Sequence, residues 1–192
     1  MSAFEFFTVL LSFVVSLGVA SLLHTVVRLA QEGGRVRFSL TWALWAAAIF
    51  NLQITFWLKS WSYHEHYTLK TSTSIPPLVL AIIAFLSCGL ATPHIPDEGP
   101  IDLKAFHERQ GGKYQIAYAV FMAVAILQGA LMLDMADAQS MSFFVTDAAT
   151  QAGLAIAALL AAVFRGQRWI QAGVPAIFLV FGVAYYGRLM EQ

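Results

Sequence analysis

Charged residues are scarce in this sequence. Only 11% of its 192 residues are Asp, Glu, Lys or Arg, whereas 59% are hydrophobic. A soluble domain carries roughly 25% charged residues, because it has to cover its surface with them. Acidic and basic residues number 11 each, so the chain also lacks the basic face that nucleic-acid binding requires. The composition argues against an ordinary water-soluble domain and predicts a surface that faces lipid.

Cysteine is almost absent, and enzyme motifs are missing. The single cysteine, Cys88, lies in an apolar run and has no partner for an internal disulfide, so we expect a small buried side chain. There is no glycine-rich phosphate loop, nucleophile elbow or zinc-protease helix. The absence of these motifs favours a protein that is not an enzyme, although missing motifs alone do not exclude intramembrane catalysis.

Long apolar segments dominate the rest of the chain. A membrane-spanning helix takes about 20 mostly apolar residues. The chain start has no basic residue before its apolar run, unlike a cleavable signal peptide, so the first segment is expected to be a retained helix. We predict one all-α transmembrane domain over residues 1–192, a bundle of six helices at about 4–29, 39–60, 76–92, 114–133, 143–164 and 170–189.

Tryptophan, proline and glycine mark the ends of the predicted spans. Trp42 and Trp45 at one end of the second span, with Trp57 and Trp61 at the other, follow the pattern of interfacial aromatic belts. Proline is tolerated where a helix starts, so Pro76-Pro77 is expected to begin the third span. Pro175 lies inside the sixth span and is able to kink it. Gly111-Gly112 is expected to separate the fourth span from the preceding loop, which forms either an amphipathic helix after Asp102 or a plain solvated loop.

Lysine and arginine are unevenly divided between the two sides of the predicted bundle. Eight fall in the first, third and fifth loops and three on the opposite side. The eight are Arg28, Arg35, Arg37, Lys104, Arg109, Lys113, Arg165 and Arg168, and the three are Lys59, Lys70 and Arg188. The positive-inside rule then places both termini outside the cytoplasm.

Several polar residues lie inside the predicted spans, where they usually face the bundle interior or a cavity. On the fifth span Asp147, Thr150 and Gln151 share one face at i, i+3 and i+4. Asn51 lies on the second span, and Gln53 points about 200° away from it at 100° per residue. Counting about 1.5 Å per residue, most of these groups fall in the half of the membrane nearer the termini. We predict an outward-facing polar cavity there, although polar side chains that only hold helices together are the alternative.

Asp147 needs a partner at its depth. Arg188, near the end of the neighbouring sixth span, is the predicted counter-charge, with Glu5 competing for the same arginine. The predicted ligand or ion pathway therefore consists of Asp147, Gln151, Thr150, Asn51 and Arg188. The fifth span is rich in alanine, which allows helices to approach closely, so it is expected to be central. Ser12, Ser16 and Ala20 on the first span offer a docking face for it or for another subunit.

A loop on the side of the termini holds a possible metal site. His64 and His66 would point the same way in an extended segment, and methionines and aspartates lie in the next loop on that side. Imidazole with thioether suits copper, and imidazole with carboxylate suits zinc or nickel, but the spacing matches no fixed motif and a polar interfacial loop is the alternative. His24 has no second histidine at its depth to hold a haem, so any cofactor stays unidentified.

The first 60 residues carry a moderately specific pattern. It comprises Glu5 within Phe4 to Phe7, Leu17-Gly18, Leu22-Leu23-His24, Arg28, Arg35-Val36-Arg37, Trp42, Trp45, Gln53, Phe56 and Trp57. The pattern resembles a family of small, uncharacterised bacterial multi-spanning membrane proteins. That resemblance implies a multi-pass protein of the bacterial inner membrane and implies no particular activity.

Three functions fit these expectations. The first is a small transporter, channel or ligand-binding protein with the outward-facing cavity. The second is a non-catalytic accessory or assembly subunit, as a homo-oligomer or with a partner membrane subunit. The third is a metal-handling protein that uses His64 and His66.

Overall fold

The described part of the chain forms six long helices and little else. The computed structural model describes residues 3–62, 71–133 and 138–190, with side chains described for 5–60, 74–133 and 141–185. The helices are α1 (Ala3–Gln31), α2 (Leu40–Ser62), α3 (Thr71–Ala91), α4 (Leu103–Leu131), α5 (Ala138–Val163) and α6 (Arg168–Met190). All six are long and apolar enough to cross a membrane, which confirms the prediction of a six-helix transmembrane bundle.

The two ends of the bundle are built differently. With an even number of spans, α1 begins and α6 ends on the same side, which we call the terminal face. On the opposite side, the sheet face, two short strands pair in parallel: β1 (Val36–Arg37) and β2 (Ile101–Asp102). Arg35 donates hydrogen bonds to the carbonyls of Gly99, at 3.0 Å, and Pro96, at 2.8 Å. The α1–α2 and α3–α4 connections are therefore joined on the sheet face, a feature that the hydropathy pattern did not predict.

The central helix is α2, so the prediction that the alanine-rich fifth span is central is wrong. Half of the α2 span is buried, against 11% of the α5 span. The α2 helix packs against α1, α3, α4 and α6, whereas α5 packs mainly along α4. Ala158 and Ala161 are fully buried, as expected of small residues at a close helix contact, but α5 packs mainly along one helix, α4. Fully buried bulky side chains such as Trp45 and Ile49 put α2 in the middle instead.

Two of the four belt tryptophans are core residues, which corrects the belt prediction at the sheet-face end of α2. Trp42 and Trp45 are 4% and 0% exposed. Each indole N–H donates to a backbone carbonyl of another helix, Trp42 to Ala91 at 2.9 Å and Trp45 to Gln171 at 3.1 Å. A buried backbone acceptor satisfies the indole as well as a lipid headgroup would, so the rings turn inward.

Three helices begin at least five residues earlier than predicted: α3, α4 and α5, the last at Ala138 where 143 was expected. The fourth starts at Leu103, and Asp102 caps it by accepting a 2.9 Å hydrogen bond from the Ala105 amide. The adjacent glycines at 111 and 112 do not break it, because they lie buried inside the helix, and a Cβ at Gly112 would overlap the Arg165 guanidinium. The third starts at Thr71, with both of its prolines inside. Membrane helices tolerate such prolines when neighbouring groups satisfy the freed carbonyls.

Candidate functional site: a polar cavity near the terminal face

A cavity of about 130 Å³ lies between α2, α4, α5 and α6, in the half of the bundle nearer the terminal face. Four of the five predicted pathway residues line it: Asn51, Asp147, Thr150 and Gln151. The side chain of the fifth, Arg188, lies outside the described residues. The structure thus brings together polar groups of α2 and α5 that are almost a hundred positions apart in sequence.

The cavity contains an ion pair that the sequence did not predict. Lys59 Nζ lies 2.6 Å from Asp147 Oδ2, and the two side chains are 22% and 24% exposed. Gln151 Nε2 donates to the same carboxylate oxygen at 2.8 Å. The described partner of Asp147 is therefore Lys59 of α2, whereas the sequence pointed to Arg188 of α6. The missed signal was spacing, since Lys59 follows Asn51 and Thr55 at four-residue intervals and shares their helix face.

Gln151 has one buried acceptor that lacks a described partner. Its side chain is 8% exposed, and its Nε2 is used by Asp147. Its Oε1 is buried and has no hydrogen-bond partner among the described residues. Leaving a buried amide oxygen without a donor costs about 1–3 kcal/mol, so this atom favours any solvent or solute group that brings one.

Close contact between α2 and α6 shapes another wall. Asn51 packs onto Gly182, where an added Cβ would overlap the Asn51 amide. The Thr55 hydroxyl donates to the Asn51 carbonyl at 2.8 Å, and the Thr150 hydroxyl donates to the Thr146 carbonyl at 2.9 Å. Both hydroxyls therefore donate to carbonyls within their own helices.

Aromatic residues close the cavity towards the sheet face. Tyr118 and Phe178 line it and stack with their ring centroids 4.4 Å apart. Trp45 packs edge-on against Phe178 at 5.7 Å, and all three side chains are at most 2% exposed. The polar site is thus separated from the sheet face by packed rings.

Beyond these rings lies a second polar cluster, which sequence reasoning missed because it placed His107 in a loop. His107 Nε2 lies 2.9 Å from Gln171 Oε1, and Gln115 Nε2 donates to the same oxygen at 2.7 Å. Because that oxygen can only accept, His107 carries its proton on Nε2, and Nδ1 accepts from the Tyr114 hydroxyl. Gln171 Nε2 donates to the Ala161 carbonyl at 2.6 Å. The cluster joins α4, α5 and α6 as interhelical hydrogen bonds.

Gln53 lies away from the cavity. Gln53 is fully buried and donates to Cys88 Sγ at 3.1 Å, which confirms that it points away from Asn51 and that Cys88 is buried. His64 and His66 fall outside the described residues. Within the described ranges no group of three His, Cys, Asp or Glu side chains could hold a metal ion.

The fold defines the chain as a multi-spanning α-helical membrane protein in contact with a lipid bilayer. No protein-family model, curated protein or solved structure matches it. The resemblance to small bacterial membrane proteins therefore stays a prediction, and the cavity is the feature of the fold that bears on function.

Proposed function

We propose that this protein binds a small solute in the cavity and conducts or transports it across the membrane. The observation that supports this proposal is the Lys59–Asp147 ion pair beside the unused Gln151 Oε1. Charged groups in a transmembrane segment are costly, and when retained they usually mark a substrate or ion path. The volume of about 130 Å³ is room for several water molecules or one small organic solute.

The predicted orientation places the terminal face outside the cytoplasm of a bacterial inner membrane. A solute would then enter from outside and meet Asp147, Gln151, Thr150 and Asn51, with Lys59 as the counter-charge. Arg188 remains a predicted contributor near the end of α6. Passage to the sheet face would require the rings of Trp45, Tyr118 and Phe178 to separate.

Water access to the cavity is testable by cysteine labelling. The background is Cys88→Ala, which removes the chain's only thiol. Thr150→Cys places a thiol in the cavity, and Ala149→Cys places one on the adjacent exposed surface of α5 at nearly the same depth. In membrane vesicles, a charged methanethiosulfonate should modify position 150 quickly from the side of the termini. The lipid-facing control at position 149 should react slowly.

Equal slow labelling of both positions would show a dry cavity and overturn the proposal. Faster labelling of position 150 from the side opposite the termini would also overturn the stated direction of access. Comparing right-side-out with inverted vesicles separates these outcomes and tests the predicted orientation of the termini.

An accessory or assembly role is the second candidate, and the His107–Gln171 cluster favours it. There, amides and an imidazole form hydrogen bonds between helices, as expected of polar groups that hold a bundle together. A subunit role predicts that the native-membrane complex, extracted in mild detergent, has a mass well above that of the 21.1 kDa chain. A purified monomer that takes up solute would contradict it. The metal-handling alternative predicts that changing His64 and His66 to alanine abolishes metal binding.

A further inference from the structure

We infer that the sheet face carries a binding site for the headgroup of an anionic phospholipid, where α4 meets the turn between α5 and α6. Four exposed basic residues supply the charge, and we call them the cationic cluster: Arg109 and Lys113 of α4, and Arg165 and Arg168 at the α5–α6 turn. None of the four lines the cavity, so the inference is independent of the proposed function.

Basic residues on the sheet face differ in whether an acid neutralises them. Near the two strands three ion pairs form: Arg35 with Glu32 at 2.8 Å, Arg37 with Asp102 at 3.7 Å and Lys104 with Glu108 at 3.8 Å. Among the described side chains, no carboxylate forms an ion pair with a member of the cationic cluster. Residues 109–113 and 164–168 also contain no acid. Positive charge therefore accumulates on the α4–α5–α6 side of this face.

The α5–α6 turn and α4 bring members of the cluster to one side. The Arg165 guanidinium lies on Gly112, at the place that an added Cβ would take. At 100° per residue, Arg109 and Lys113 lie about 60° and 100° round α4 from Gly112, in the same direction. Glu108 lies about 40° round in the other direction, towards its partner on the strand side. The cluster thus borders one region of the surface from which the nearest acid is turned away.

Arg165 is held in a position that suits a phosphate group. Its Nε donates to the Ala162 carbonyl at 2.9 Å, while its guanidinium packs across Gly112. Its two terminal nitrogens have no described hydrogen-bond partner, so four N–H donors remain on a planar group that is already in place. Phosphate oxygens match the spacing of these donors, and a pre-positioned guanidinium loses little side-chain freedom on binding. Arg165 is therefore the expected centre of the site.

The surroundings of the cluster favour a lipid over a soluble anion. Trp169, next to the cluster at the start of α6, is 91% exposed, and tryptophan at the end of a membrane span typically lies at headgroup level. Ile116 follows the cluster on α4 and Val163 precedes it on α5, and both are exposed apolar residues. Acyl chains can lie along these residues while the headgroup meets the basic side chains, as in other basic pockets at helix ends.

The test measures lipid binding to the purified full-length protein by native mass spectrometry. The delipidated protein is titrated with dioleoylphosphatidylglycerol, which is anionic, or with dioleoylphosphatidylcholine, which has the same chains and no net charge. Phosphatidylglycerol should bind at least about fivefold more tightly, the factor that one basic residue contributes near an anionic lipid. Equal affinity for the two lipids would overturn the inference, and this comparison needs no variant.

A soluble competitor separates a lipid site from a site for free phosphate. Glycerol 3-phosphate carries the phosphate and glycerol of the headgroup but has no acyl chains. At the same concentration as phosphatidylglycerol it should leave the lipid bound. Displacement of the lipid would identify a site for soluble anions and would overturn the assignment to a phospholipid.

Charge variants locate the site on the sheet face. Arg165→Gln and Arg168→Gln should each weaken phosphatidylglycerol binding by about fivefold. Arg37→Gln and Lys104→Gln remove the same charge from the same face, but from residues that are paired with acids, and should leave binding unchanged. An equal loss in both sets of variants would show a diffuse attraction to the whole face and would contradict a defined site.

Gly112→Ala separates the position of Arg165 from its charge. The variant keeps every basic residue, but its methyl group takes the place of the Arg165 guanidinium, which has to move. Phosphatidylglycerol binding should weaken although the net charge is unchanged. Wild-type affinity in this variant, with its thermal unfolding midpoint retained, would contradict the role given to Arg165.

Discussion

The indole N–H of Trp45 donates a 3.1 Å hydrogen bond to the backbone carbonyl of Gln171. In an unbroken helix this carbonyl would accept from the residue four positions on, but that residue is Pro175, which has no N–H. The central helix α2 therefore supplies the donor that α6 lacks. The same tryptophan packs against Phe178 at the closed end of the cavity, so this bond fixes both α6 and the ring cluster.

Replacing Trp45 with phenylalanine should destabilise the protein through this single bond. Phenylalanine keeps an aromatic ring but leaves the Gln171 carbonyl without a donor, which should lower the free energy of unfolding by about 1–3 kcal/mol, with some further loss of packing. Denaturant titration in detergent measures the change. Trp169→Phe is the control, because Trp169 is 91% exposed and should change stability by less than about 0.5 kcal/mol.

A double-mutant cycle isolates the bond from the packing. Pro175→Ala restores a backbone N–H for Gln171, so Trp45→Phe should cost clearly less in that background. An equal cost in both backgrounds would show that the indole acts by packing alone.

Substituting Gly182 should disturb the cavity wall. The added methyl group of Gly182→Ala would overlap the Asn51 amide, so α6 has to shift away from α2, at a cost of about 1–3 kcal/mol. Gly173→Ala on the same helix meets nothing within 4 Å and should be neutral or slightly stabilising. Adding Asn51→Ala should restore much of the loss at Gly182. Without that rescue, the contact between Asn51 and Gly182 does not explain the effect.

The Lys59–Asp147 pair should behave as a coupled unit. We expect Lys59→Met or Asp147→Asn to lower the free energy of unfolding by about 1–3 kcal/mol, below the cost for a fully buried pair because the side chains are 22% and 24% exposed. The double variant should lose less than the sum of the two. The exposed Lys104–Glu108 pair is the control, and its substitutions should each cost less than about 1 kcal/mol. Stronger coupling of Asp147 to Arg188 than to Lys59 would contradict the described pairing.

Asp102 should add a pH dependence to stability. Its hydrogen bond from the Ala105 amide, at the start of α4, lowers the pKa of its carboxyl, and the positive charges of Arg37 and Lys104 act in the same direction. Because the folded pKa lies below the unfolded value of about 3.9, the contribution is present above that pH and is lost as pH falls through the folded pKa. Comparing unfolding of the wild type and Asp102→Asn from neutral to acidic pH should show their difference shrink only below about pH 4. A difference that stays constant would contradict this role.

Much of the fold was predictable because hydropathy alone dictates membrane spans. What hydropathy does not report is which helix is central or where a helix starts against its neighbours. In the sequence, Gly111 and Gly112 indicate a break between a loop and the fourth helix. In the structure, Arg165 packs over Gly112 and the helix continues through both glycines. The alanines of α5 indicated a central position, yet α5 packs mainly along α4, and the bulky buried side chains of α2 place that helix in the centre.

The site was predictable in part for a similar reason. The helical periodicity predicted that Asp147, Thr150 and Gln151 share one face of the fifth span. The helical rise per residue predicted that Asn51 lies at a similar depth in the membrane. Lys59 was missed because it lies near a helix end, where a lysine normally extends to the headgroups, and only the tertiary fold turns it towards Asp147. The His107 cluster was missed because helix α4 starts earlier than its glycines indicate.

The central claim is that a solute-filled polar cavity lies between α2 and α5. The most direct measurement is an experimental structure in a lipid nanodisc, at a resolution that shows ordered water. We expect density for water or ligand within hydrogen-bonding distance of Gln151 Oε1, continuous with the Lys59–Asp147 pair and open at the terminal face. A cavity filled by lipid chains, or collapsed with α5 packed directly against α2 and α6, would contradict it.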